Sequence, residues 1–330
     1  MQWIPKFVGF LVASIFLSSA PFAVEGNPLP VGKKNLPEIT LKNISPPYKD
    51  HIYFQHHRRF PFEYQSSSFS MVNAWWLAEV STLAYADEAY IQSQFRKIGL
   101  NNFRFFTKHS TQCFVVSNRE FAILAFRGTE IGKRGESLDI RAIVSDLTAD
   151  VDARLAEWPR GGKVHQGFKE ALEEVWDDIC PYMKNLADRG CKIWVTGHSL
   201  GAALATLAAN RFEAVQGLYT FGSPRVGDSE FQRRFRLRSF RIVNGSDIFS
   251  KVPPAGIYRH VGTPKFIDPS SNLLRARPYA DSDGDDPNLA DVLREIKEFA
   301  SWGLIPDSIR DHVPVLYAVA LWNRLVDSRS

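Results

Sequence analysis

Cysteine is scarce in this chain, with three residues in 330: Cys113, Cys180 and Cys191. Three are too few for a disulfide framework, and an odd number prevents a fully paired set. Cys180 and Cys191 could bridge in an oxidising compartment. Three buried thiols is the favoured reading, and none has metal-ligand spacing. Neither sign of charge dominates. Lys and Arg number 40 against 36 Asp and Glu, giving a formal charge of +4 with no long basic run, so nothing directs the chain to nucleic acid. Beyond the N-terminus no apolar run is long enough to cross a bilayer. There is no internal repeat and no low-complexity tract, which excludes solenoids and disordered tails. Hydrophobic residues at 45% and charged residues at 23% fit a soluble globular chain.

The N-terminus differs in character. Lys6 precedes the apolar run Phe7 to Leu17, and small residues follow at Ser18, Ser19, Ala20 and Ala23. This pattern predicts a signal peptide over residues 1–26, cleaved between Ala20 and Gly26, and hence a secreted or periplasmic protein. An uncleaved membrane anchor is the less favoured alternative, because the run is short and Pro21 interrupts it. Residues 27–50, with Pro28, Pro30, Pro37 and Pro46, read as an irregular leader. Residues 51–330 read as a single α/β domain.

Within that domain, Met71 to Ala86 and about Ala89 to Ile98 read as helices. Phe103–Phe106, Cys113–Val116 and Phe121–Phe126 read as a β-meander. The last run is apolar at every position, as in a central strand covered on both faces. Residues 168–188 read as an amphipathic helix broken or kinked at Pro181. Ile193–Thr196, Gly217–Phe221 and Phe240–Val243 read as further strands, with an alanine-rich helix over Leu200–Phe212. Strands alternating with helices predict a mostly parallel sheet.

The chemistry centres on Gly197-His198-Ser199-Leu200-Gly201. Gly-x-Ser-x-Gly alone is a modest signal. Two near misses, at Ser137 and Ser229, lack the second glycine and do not stand between a strand and a helix. Ser199 does. A nucleophile in a sharp strand-to-helix turn needs small flanking residues, and the following helix turns its free N–H groups toward the reacting centre. A glycine-rich turn with an incidental serine is the alternative. A serine hydroxyl also needs a base and an acid that orients the base, here in the order Ser, Asp or Glu, His. Asp247, just past the strand Phe240–Val243, is the preferred acid, and Asp228 is the rival. His312, in a loop before the C-terminal helix, is the preferred base, and His260 is the rival. His198 is expected to point away from the elbow. His51, His56, His57, His109 and His165 read as surface or structural residues. The backbone N–H of Leu200 and the N–H and hydroxyl of Thr129 are candidate oxyanion donors, unless Thr129 merely ends its strand. The acidic run Asp281 to Asp286 lacks the glycine and glutamate of an EF-hand loop and reads as a solvated loop. No metal or cofactor is expected.

In five ordered stretches the chain resembles the class 3 lipases, the fungal-lipase-like triacylglycerol hydrolases and their bacterial and plant relatives. The stretches are Ala125–Glu130, Val164–Phe168, Val195–Ala205, Thr220–Gly227 and Val243–Asp247. The resemblance implies an α/β-hydrolase fold, and a secreted bacterial-type member of the family. It implies a lipase or carboxylesterase acting on acylglycerols or phospholipids, with Ser199, Asp247 and His312 as triad and Thr129 as an oxyanion residue. Asp311 and Tyr317 loosely fit the family's surroundings for its histidine. The resemblance also implies a lid over about Glu130–Leu147, although that stretch is more charged than a greasy lid. The expected partner is a lipid or ester substrate at a lipid–water interface. Other ester substrates, such as feruloyl esters or polyesters, and a degenerate lipid-binding protein on the same scaffold remain alternatives.

Overall fold

The structure is a computed structural model that describes residues 31–40, 43–129, 155–253, 255–268, 274–275, 294 and 305–329. The signal peptide expected over 1–26, the lid expected over 130–147 and the acidic run 281–286 lie outside these residues. Residues 33–330 make one compact unit, which begins just after Gly32. The leader expected over 27–50 has neither helix nor strand where it is described. From Lys33 onward it belongs to the same unit as the rest, and Lys34 exchanges hydrogen bonds with the Asn323 side chain at 2.8 and 2.9 Å.

The centre of the sheet follows from strands buried on both faces. β3 (Phe121–Phe126) is buried at all six positions, as an uninterrupted apolar run requires. β1 (Asn102–Lys108) and β2 (Thr111–Ser117) join it as an antiparallel meander. On its other side come β6 (Lys192–His198), β7 (Val215–Phe221), β8 (Ser239–Asn244) and β9 (Thr263–Ile267), all parallel. β10 (Leu274–Arg275) returns antiparallel at the edge. Among the described residues the order is β1-β2-β3-β6-β7-β8-β9-β10. A small hairpin, β4 (Leu155–Glu157) with β5 (Lys163–His165), stands apart from this sheet.

Alternation along β6 sends its side chains to two helical layers. Ile193 and Val195 join the core formed with α3 (Gln166–Asp188) and α4 (Leu200–Arg211). Thr196 faces α1 (Met71–Leu83), where its hydroxyl lies 2.9 Å from that of Ser81. α1 is buried at every position but Met71 because it lies between the sheet and α7 (Pro314–Asp327). A helix in that position needs no polar stripe. Ser70 caps its start, accepting from the Asn73 N–H at 3.0 Å. Two shorter helices, α2 (Glu88–Lys97) and α5 (Ser229–Arg234), flank the strands, and α6 (Asp307–Arg310) leads into α7.

Of the break or kink expected at Pro181, the break is not present. α3 runs from Gln166 to Asp188 with Pro181 inside it. The buried stripe Phe168, Leu172, Val175, Trp176, Ile179, Met183 and Leu186 holds both halves to the core, which offsets the one N–H that proline lacks. The three thiols are free. Cys113 and Cys191 are buried, whereas Cys180, expected buried, is half-exposed on α3. Among the described residues no helix is long and apolar enough to cross a membrane. The mostly parallel sheet with helices on both faces is that of an α/β-hydrolase.

Candidate active site

The parallel strands β6, β7 and β8 end level with one another, so three turns open at one sheet edge. Such edges collect ligands because the loops leaving the strands converge there. Ser199 follows β6, Gly222 follows β7, and Gly245-Ser246-Asp247 follows β8.

Ser199 has φ 58° and ψ −128°, a left-handed backbone that a non-glycine residue adopts at a cost. Its neighbours explain how the turn is made. A Cβ on Gly197 would stand 2.2 Å from the Gly201 carbonyl oxygen, and one on Gly201 would stand 2.3 Å from the Phe126 oxygen. Both positions must be glycine for the elbow to fit between β3 and the start of α4. The Ser199 N–H donates to the Phe221 carbonyl at 3.0 Å, which ties the elbow to β7.

Asp247 is fully buried and its carboxylate is closely held. Oδ1 accepts from the Phe249 N–H at 2.9 Å, and Oδ2 accepts from the Tyr317 hydroxyl at 2.5 Å. Both oxygens lie 2.9 Å from His312 Nδ1. A carboxylate can only accept, so Nδ1 carries the proton. His312 Nε2 then presents a lone pair, and that buried atom has no hydrogen-bond partner among the described residues. Phe249 stacks on the imidazole, 3.9 Å between centroids at 23°. Burial and the Asp247 carboxylate both push the Tyr317 hydroxyl well above its ordinary pKa, so it stays a donor. Two further bonds join the Asp247 turn to the His312 turn. Asp311 accepts from the Ser246 N–H at 2.8 Å, and its carbonyl accepts from Asn244 Nδ2 at 3.0 Å. This arrangement can take a proton at His312 Nε2 and stabilise the resulting imidazolium through Asp247.

The rivals have other work. Asp228 caps α5, accepting from the Phe231 N–H at 2.8 Å. His260 gives its Nε2 proton to the Ser250 carbonyl at 2.8 Å, and burial with the Arg241 and Arg225 charges holds it well below the usual imidazole pKa. His51 bonds the buried Glu79 at 2.7 Å, and His56 stacks on Trp322. His57 contacts the Phe54 carbonyl, His109 is exposed, and His165 is buried against Phe168. His198, expected to point away from the elbow, is buried with its ring centroid 4.4 Å from that of His312. Thr129 is half-buried just past β3, on the loop whose Phe126 and Arg127 backbone packs on Gly201. Leu200 is the first residue of α4. Among the described residues no cluster of three His, Cys, Asp or Glu side chains could hold a metal.

The residue-by-residue reading of the sequence missed Gly222, Phe249 and Tyr85. Gly222 has φ +55°, and a Cβ there would meet Asp247 Oδ2 at 2.5 Å and His312 Nδ1 at 2.8 Å. Its one sequence signal is its place in Phe221-Gly222-Ser223-Pro224, directly after a buried strand. Nothing local marks Phe249 or Tyr85.

Residues 123–257 match the family described as Lipase (class 3). A rice (Oryza sativa subsp. japonica) protein named phospholipase A1-II 6 is 36% identical over 132 residues, covering 33% of this chain and 32% of that protein. A Malassezia restricta protein named secreted mono- and diacylglycerol lipase LIP4 is 30% identical over 162 residues, covering 45% and 52%. The chain thus spans about a third to a half of these curated relatives. The solved triacylglyceride lipase of Rhizomucor miehei is 29% identical with a TM-score of 0.43, covering 52% of this chain and 69% of that one. These relatives are plant and fungal, and none supports the bacterial-type membership expected from the sequence. From β3 to beyond the turn that carries Asp247, this chain is similar to the class 3 lipase family.

Proposed function

We propose that the protein is a serine carboxylic ester hydrolase acting on acylglycerols or related lipids through an acyl-enzyme. One observation carries this reading: a buried imidazole fixed by Asp247 at Nδ1, with Nε2 unpartnered, at the sheet edge that holds a strained serine. In the proposed reaction His312 Nε2 takes the Ser199 proton as the hydroxyl attacks the ester carbonyl. The N–H of Leu200 and the N–H or hydroxyl of Thr129 receive the oxyanion. Asp247 keeps the imidazole in the productive tautomer and stabilises its charged form. His312 returns the proton to the leaving alcohol. Water then attacks the acyl-enzyme by the same route, and the carboxylic acid leaves. Tyr317 holds Asp247 in place throughout.

Acyl esters of phospholipids are a second reading, favoured by the rice relative named as a phospholipase A1. Relatives named as secreted lipases support export of the enzyme. Ser199→Ala tests the mechanism. The variant is expected to lose turnover of a soluble aryl ester and labelling by a fluorophosphonate, with its circular dichroism unchanged. Retained turnover would refute the assignment. Release of fatty acid from diacylglycerol compared with phosphatidylcholine vesicles separates the two substrate classes.

A further inference from the structure

His198 is buried beside the reacting residues, and both of its nitrogens are engaged. Nε2 lies 2.7 Å from the main-chain carbonyl oxygen of His312. A carbonyl oxygen only accepts, so Nε2 carries a proton. Nδ1 lies 2.8 Å from the Tyr85 hydroxyl. Burial and the adjacent His312 imidazole hold His198 well below the usual imidazole pKa, so the ring is neutral and Nδ1 is a lone pair. Burial raises the Tyr85 pKa, so the phenol keeps its proton and donates. One direction of bonding satisfies every atom. The Tyr85 O–H donates to His198 Nδ1, and the His198 Nε2–H donates to the His312 carbonyl.

This chain of bonds reaches the other half of the site as well. Tyr85 lies just past α1, and a Cβ on Gly128 would stand 2.1 Å from its hydroxyl oxygen and 2.6 Å from the His198 carbonyl oxygen. Gly128 adjoins Thr129. The Tyr85 hydroxyl and the His198 backbone therefore fill the space beneath the β3 loop, while the His198 side chain supports the turn that carries His312. That turn lies between two helices, α6 and α7. Its imidazole is tied to Asp247 through Nδ1, and its main chain is tied through the carbonyl.

We propose that Tyr85 and His198 are positioning residues, a one-way hydrogen-bond chain that fixes the His312 backbone so that its Nε2 meets the Ser199 hydroxyl. The proposal rests on the reading of Ser199, Asp247 and His312 as the triad. His198 is not itself a base, because its Nε2 already donates. Its neutrality also serves the reaction. A protonated ring 4.4 Å from His312 would oppose the imidazolium that forms there. An error of about 1 Å in a reacting group costs on the order of 100-fold in rate.

The test compares His198→Leu, His198→Gln and Tyr85→Phe in the full chain, using a soluble aryl ester. Leucine fills the space with no donor. Glutamine places an amide N–H where Nε2–H stood. His198→Leu should lower kcat by about 100-fold with KM changed less than about threefold. His198→Gln should recover most of that loss. Tyr85→Phe should lower kcat by several-fold, since His198 can still donate to the carbonyl. Leucine and glutamine variants that fold and are equally impaired would overturn the proposal, as would wild-type kcat in His198→Leu. If His198→Leu does not fold, unchanged kcat in Tyr85→Phe overturns it. A wild-type chain that neither turns over ester nor labels with fluorophosphonate defeats the triad reading instead.

Discussion

Replacing Gly222 by alanine probes the contact closest to the His312–Asp247 pair. The added methyl would stand 2.5 Å from Asp247 Oδ2, 2.8 Å from His312 Nδ1 and 3.0 Å from His312 Cε1. These atoms are buried and bonded to one another, so they cannot swing aside as a lysine tip would. The backbone also sits at φ +55°. A left-handed residue with a side chain costs about 1–2 kcal/mol, and overpacking a rigid interior costs about 1–3 kcal/mol. The sum is about 2–5 kcal/mol of stability. Gly190→Ala is the control. Its φ is +89° with no atom within 4 Å of the added carbon, so only the backbone cost of about 1–2 kcal/mol applies. Urea unfolding should therefore order the chains wild type, Gly190→Ala, Gly222→Ala. Activity should separate them further. Gly190→Ala should keep wild-type kcat, whereas Gly222→Ala must displace the imidazole or the carboxylate and should lose about 100-fold. Circular dichroism at the assay temperature would establish that the loss is not unfolding. Wild-type kcat in a folded Gly222→Ala chain would refute the packing described around the His312–Asp247 pair.

Tyr317→Phe removes a donor to a buried carboxylate and should cost about 1.5–3 kcal/mol in urea unfolding and lower kcat, with KM little changed. Stability equal to wild type would show that bond to be idle. Ser199→Gly should be more stable than Ser199→Ala by about 1 kcal/mol, because glycine tolerates φ 58°, although neither should turn over ester. The reverse order would mean that the elbow is unstrained. Stability should also fall in mild acid. His198 and His260 are held below the ordinary value of 6.5, so below that pH the unfolded chain binds protons that the fold refuses. Stability should therefore decline steadily as the pH falls from 7.5 to 5.5. The Asp311 carboxyl, raised by burial, acts in the opposite sense but only in the more acidic carboxylate range. Urea midpoints that stay flat from pH 7.5 to 5.5 would contradict the neutral state of both rings.

What the sequence determined by itself was local. The apolar run Phe121–Phe126 could only be a covered strand, and Gly197 and Gly201 around Ser199 could only serve a crowded turn. Asp247 was singled out because it lies in the loop just past β8, and His312 because it stands in the short turn before the C-terminal helix. Tertiary structure decided the pairing. Asp247 and His312 are 65 residues apart, and the helix cap that engages Asp228 and the carbonyl that engages His260 are not revealed by spacing. The bonds of His198 were hidden for the same reason, since its partners lie 113 and 114 residues away. Hydrogen-bond direction is set by which group faces which atom and by burial, and a linear sequence encodes neither until the chain has folded.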